Sequence, residues 1–274
     1  DEAGGGTGST PAAAFAGVRG RVCGGGGPGN IPKEVSKTGE CRLYSARTLF
    51  CSPSCVPGET CGESGKCIPY PKTHSVGAVT ITGLNNPLTM NPSGSIFYYT
   101  NSSPRPHPGF DAGADLVLKT GGGDYQPVTL LGQGIEPVVA GAGGAKVLVE
   151  SGKAVTVTWK APASTGAARI HIELNINQHG GTGGWITCDD VPDTGSYTIP
   201  AAMVTALYKM GLSGFPGLTV TRRTADSATI APGCMQFTVV SSLELDISVS
   251  GITSCTKDGD CPTGQTCQKD LTCK

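Results

Sequence analysis

Twelve cysteines, an even number, constrain this 274-residue chain more than any other feature, because they are so unevenly placed. Six fall between Cys23 and Cys67 (Cys23, Cys41, Cys51, Cys55, Cys61, Cys67). Two, Cys188 and Cys234, stand in the long middle, and four, Cys255, Cys261, Cys267 and Cys273, close the chain. Clustering in short, turn-rich stretches is the pattern of a disulfide framework formed in an oxidising compartment. Between Cys23 and Cys67 the chain reads "CGGGGPGN", "CRLYSARTLFCSPSC" and "VPGETCGESGKC", with little that is apolar to pack. A segment of that kind needs covalent staples.

Metal sites fit these cysteines poorly. Zinc ribbons present Cys-x-x-Cys pairs so that two thiolates reach one tetrahedral ion, and neither terminal cluster has such a pair. In the closing "CTKDGDCPTGQTCQKDLTCK", Asp258, Asp260 and Asp270 suggest calcium, but Pro262 occupies the third ligand position of an EF-hand-type loop. The expectation is therefore no metal and no cofactor, with a C-terminal knot whose first cysteine pairs with the third and second with the fourth. Cys188 and Cys234 are expected to bridge each other across two strands or two sheets.

Between the clusters, period-two alternation bounded by Gly, Pro, Asn and Asp turns dominates. "KAVTVTWK" sets Val155, Val157 and Trp159 on one face, and "RIHIELNIN" sets Ile170, Ile172, Leu174 and Ile176 on one face. Such runs predict roughly ten to twelve short strands, the spacing of a sandwich. One stretch has helical spacing instead. In "IPAAMVTALYKMG", Pro200 suits a first turn, Met203, Leu207 and Met210 share a face, and Gly211 closes the end.

The expected fold class is all-β: a disulfide-stabilised β-sandwich, jelly-roll or Ig-like, with one short helix and small Cys-rich modules at both ends. Its expected divisions are a Gly/Ala-rich tail (1–22), a Cys-rich module (23–70), the sandwich (71–250) and the C-terminal knot (251–274). The tail composition is that of a flexible tether, or of an edge strand donated to a neighbouring subunit. With no charged-then-apolar leader, Asp1 is expected to follow a removed signal peptide, and no apolar run is long enough to span a bilayer. The formal net charge of −1 and the lack of a Lys/Arg cluster argue against nucleic acid as a partner.

Catalytic patterns are missing. There is no Gly-x-Ser-x-Gly elbow, "GLSGF" around Ser213 lacking a spacer residue, and no His-Glu-x-x-His. His74, His107, His171 and His179 are scattered. "GGGGPGN" lacks the Lys-Ser/Thr of a phosphate loop, and Asn101 of "NSS" matches a glycosylation acceptor. One surface is a candidate for ligand binding. Opposite the inward isoleucines, Arg169, His171, Glu173, Asn175 and Asn177 form a polar row leading into "HGGTGGW" and Trp185. Planar polar groups beside an indole suit a sugar, and an ordinary solvated sheet face presents the same alternation.

The stretches "CSPSCVPGETCGESGKCIPYPKTHSVGAVTITGL", "ITCDDVPDTGSYTIPAAM" and "CTKDGDCPTGQTC" together resemble cysteine-rich secreted or lipid-anchored surface proteins of the myxobacterial type. The likeness spans most of Cys51 to Cys273, through cysteines, turns and strand starts. It implies an extracytoplasmic compartment and this architecture, and supplies no catalytic residues. The expected function is a non-enzymatic cell-surface protein acting in assembly with copies of itself, or in adhesion to cell-surface components. A carbohydrate-binding module around His171 and Trp185 is the alternative, and a secreted hydrolase the third.

Overall fold

A computed structural model describes the chain except for residues 1–14, 24–31, 47–48, 71, 96, 98, 100–105, 142–145, 164–165, 178–182 and 232. The "GGGGPGN" loop, Asn101 and His179 thus lie outside the described residues, as does most of the N-terminal tail. In chain order come β1 (Phe15–Cys23), β2 (Lys33–Thr38), β3 (Cys41–Ser45), β4 (Glu59–Cys61) and β5 (Cys67–Pro69). Next are β6 (Val79–Thr82), β7 (Leu88–Met90), β8 (Asp115–Thr120), β9 (Thr129–Gln133), β10 (Val147–Val149) and β11 (Val155–Thr158). The rest comprises β12 (Arg169–Asn175), β13 (Gly184–Pro192), β14 (Ser196–Ile199), α1 (Ala201–Tyr208), β15 (Gly217–Ile230), β16 (Gly233–Leu245) and β17 (Ile247–Val249).

The fold is all-β with disulfide-linked Cys-rich modules. Its centre is a seven-stranded antiparallel sheet in the order β1-β16-β15-β12-β13-β3-β2. Ile170, Ile172, Leu174 and Ile176 are buried along its inner face, as the alternation of β12 requires. Against them pack Val155 and Val157 of β11, Ile199 of β14 and the helix residues Met203, Val204 and Leu207, forming one core. Pro200 stands at the N-cap, Lys209 at the C-cap, and Gly211, at φ +112°, turns the chain away two residues later. The far halves of β15 and β16 leave this core and bury Ile230, Met235, Phe237 and Val239 in a second one, against the four-stranded sheet β7-β6-β8-β9.

Strand neighbourhood corrects one expected bridge. Cys188 bonds to Cys41, not to Cys234, because β13 lies beside β3 and the two cysteines stand opposite each other in register. Two strands, β12 and β15, separate β13 from β16. Cys234 is also disulfide-bonded, and its register partner on the next strand is Cys23. The N-terminal segment divides accordingly. Its first three strands belong to the large sheet, and a separate stapled unit runs from Cys51 to Pro69, held by Cys51–Cys61 and Cys55–Cys67.

That unit and the C-terminal knot are two copies of one module. The knot pairs Cys255 with Cys267 and Cys261 with Cys273, the same interleaved connectivity. Both contain C-x-x-G-x-T-C-x5-C, from Cys55 in one and Cys261 in the other. The shared glycines, Gly58 and Gly264, both take positive φ (+92° and +88°), and each is the third residue of a matching turn closed by Glu59 N–H to Val56 O or by Gln265 N–H to Pro262 O. Cys61 faces Cys67 across its hairpin as Cys267 faces Cys273. The copies differ in setting. The C-terminal one is seated on the body at Gly214, whose N–H donates to Asp270 O at 2.8 Å and where a Cβ would fall 2.1 Å from Leu271 O. The N-terminal copy and its flanks instead leave Phe50, Val56, Ile68 and Tyr70 exposed.

Candidate functional site

The outer face of the seven-stranded sheet collects the polar residues singled out by sequence, and it sorts them into different environments. His171 stands on β12 opposite an irregularity in β13: Ile170 pairs with Val191 and Ile172 with Cys188, so one residue faces two, Asp189 and Asp190. Asp190 takes φ +58°, a left-handed conformation that aspartate tolerates better than most side chains, and the bulge turns Asp189 toward its neighbour. Nδ1 of His171 donates to Asp189 Oδ1 at 2.6 Å, and Arg223 of β15 donates to the same oxygen at 2.8 Å. Among the described residues no hydroxyl is hydrogen-bonded to this imidazole. The nearby Thr221 and Ser242 hydroxyls bond to each other at 2.8 Å.

Further along the face, Trp185 of β13 stands opposite Tyr44 of β3, and the rings stack with centroids 5.9 Å apart and planes 28° apart. One residue pair away, Glu173 lies opposite Thr187, which faces Arg42 of β3. Arg42 reaches back to Glu34 of β2 at 3.3 Å. Asn175 holds the N–H of Asn177 at 3.0 Å, while Asn177 itself is only 6% exposed, with its Nδ2 unpaired among the described residues. Asn177 is thus a packed residue and leaves the accessible row. Arg169 leaves it too, facing a separate cleft.

That cleft, of about 520 Å³, is bordered by Arg169, Gln133, Glu136, Thr194 and Thr224, with Asp193 and Arg222 at its floor. Arg222 is 1% exposed and fully engaged. Its Nε and Nη2 donate to the Asp193 carboxylate at 2.5 and 3.1 Å, Nη2 also to Lys160 O, and Nη1 to the carbonyls of Glu136 and Pro137. Trp159 Nε1 completes the shell of Asp193 at 2.7 Å. The floor is a structural clamp with little capacity left for a ligand.

The cysteine and aspartate candidates have structural roles. Sulfurs of Cys51, Cys55 and Cys67, and of Cys255, Cys261 and Cys273, cluster within 4.8 Å because two bridges interleave, and each is already bonded to another sulfur. Asp260 accepts from the N–H and hydroxyl of Thr256, and Asp258 from the N–H of Cys267, so both carboxylates brace the knot's own backbone.

Several carboxyls sit below their ordinary range: Asp189 through the His171 hydrogen bond and then the charges of Arg223 and Arg42, against opposing burial; Asp270 through Lys274 and Thr272; Asp260 through Thr256. A depressed folded pKa stabilises the fold above the unfolded value, about 4, and that contribution disappears as pH falls through the lowered one. Burial, then Glu40, pushes the Tyr197 phenol up to about 12, so between about 10 and 12 the unfolded chain ionises first and stability falls again. Melting temperatures across pH are expected to hold level through neutrality and drop at both ends, with Asp189→Asn flattening part of the acid limb. A melting temperature that rises on acidification below pH 4 contradicts this assignment.

Tyr44, Arg42, Asp189 and Arg223 escaped the sequence reading because each joins the site through a neighbouring strand. Against protein-family models, curated proteins and solved structures alike, the chain has no match.

Proposed function

We propose that this protein is a non-enzymatic, extracytoplasmic structural protein that assembles at a cell surface through its N-terminal strand, or serves there in adhesion. One observation carries the reading. The seven-stranded sheet ends in β1 and β2, and no described residue pairs with the outer edge of either. The two edges differ. β2 carries Lys33 and Lys37 and a register shift between Glu34 and Ser36, devices that discourage edge-to-edge pairing. β1 keeps an unbroken nine-residue register, from Phe15 opposite Ser242 to Cys23 opposite Cys234, with neither bulge nor proline. An edge of that length, unpaired among the described residues, is a template for another strand.

Disulfides at both ends and across the sheet support an oxidising compartment, as does the likeness to secreted or lipid-anchored surface proteins. No helix among the described residues is long and apolar enough to cross a membrane. On this reading the purified chain forms oligomers or filaments, visible by light scattering and electron microscopy. Removing residues 1–22 is expected to abolish them, and equal association after that deletion counts against the proposal.

A further inference from the structure

The outer sheet face carries a second feature, independent of the β1 edge. The stacked rings of Tyr44 and Trp185 make a partly exposed aromatic surface toward the β2 side of the sheet, on the neighbouring strands β3 and β13. The other tryptophan, Trp159, is 3% exposed and uses its N–H on Asp193, which is how this fold treats an aromatic serving only the core. Trp185 Nε1 and the Tyr44 hydroxyl, in contrast, have no hydrogen-bond partner among the described residues, and neither has the exposed carboxylate of Glu173. An apolar platform ringed by unused donors and acceptors is what a pyranose ring needs: its C–H face covers the aromatic planes while its hydroxyls give protons to a carboxylate and take them from N–H and O–H groups.

Charge narrows the ligand. Two arginines of this face are engaged with carboxylates, Arg42 with Glu34 and Arg223 with Asp189. Glu173 has no such partner among the described residues, and Lys37 of β2, opposite Arg42, has no ion pair among them either, so the open charges beside the platform are of both signs and no net positive field draws uronate or sulfated sugars. We propose that Tyr44, Trp185 and Glu173 form a binding site for a neutral pyranose glycan laid across β12, β13 and β3. His171 and Asn177 lie outside its contact set, the first tied to Asp189 and the second buried.

Because Trp159 is buried, Trp185 fluorescence reports occupancy directly. The probes are neutral hexasaccharides of β-linked glucose, xylose and mannose, with oligogalacturonate as the acidic comparator. At least one neutral probe is expected to give a saturable fluorescence change. Measured by calorimetry, Trp185→Ala and Tyr44→Ala each weaken that binding roughly tenfold or more. Glu173→Gln, at an exposed position, weakens it several-fold while leaving the unfolding midpoint unchanged, which separates lost contact from lost fold. Absence of saturable binding by any neutral probe, undiminished affinity in Glu173→Gln together with Tyr44→Ala, or preference for oligogalacturonate overturns the proposal.

Discussion

Arg222→Ala is expected to cost about 3–5 kcal/mol of folding stability, the range for breaking one half of a buried ion pair. Removing this guanidinium strands the Asp193 carboxylate, whose side chain is 8% exposed, and leaves the carbonyls of Glu136, Pro137 and Lys160 without their donor. Those groups lie on three separate segments, so the loss also unties the β9–β10 connection, the segment that follows β11 and the β13–β14 turn from the central sheet. Lysine does not rescue it, because one ammonium cannot fill five divergent hydrogen bonds. A volume-matched apolar replacement of both partners, Arg222→Met with Asp193→Leu, is expected to be less damaging than either single change, since no charge is then left buried. Urea unfolding of the parent, Arg222→Ala, Arg222→Met, Asp193→Leu and the double mutant checks this. A single mutant within about 0.5 kcal/mol of the parent, the usual range for surface changes, removes the clamp from the account.

Cys41→Ala with Cys188→Ala is expected to cost about 2–5 kcal/mol, because the bridge closes a loop of sequence separation 147 between two neighbouring strands of the large sheet and its loss frees the unfolded chain. The corresponding change in the N-terminal module, Cys51→Ala with Cys61→Ala, opens a separation of only 10. Its effect is expected to be confined to residues 51–69, detectable as local proteolysis with the main unfolding transition unmoved. Equal effects of the two pairs on that transition contradict the division between sheet and module.

Both results bear on what a sequence discloses. Alternation is local, so the inward faces of Val155–Thr158 and of Ile170–Ile176 could be read directly, as could α1 from the spacing of Met203 and Leu207 and the flanking Pro200 and Gly211. Crowding made interleaved pairing within the last four cysteines readable too. Partners across strands were not readable, since register is a property of the whole sheet. That is why Cys188 was assigned to the wrong cysteine, why Tyr44 was missed beside Trp185, and why Arg222 and Asp193 drew no notice. The polar row on β12 was right in its alternation and wrong in its unity: Arg169 turns to the cleft, His171 is held by the bulged Asp189, and Asn177 is buried. The module duplication is hidden by the unequal spacing of its first two cysteines, Cys51 to Cys55 and Cys255 to Cys261, and becomes plain once both bridges are traced.

Amide hydrogen exchange as a function of protein concentration distinguishes assembly through β1 from any other association. The outward-pointing amides of Phe15–Cys23 have no partner strand among the described residues, while the inward ones pair with β16. As copies associate, alternate amides of this strand are expected to become protected while those of Lys33–Thr38 keep exchanging. Association that leaves Phe15–Cys23 exchanging as in the dilute protein, or that protects Lys33–Thr38 in its place, contradicts assembly through β1.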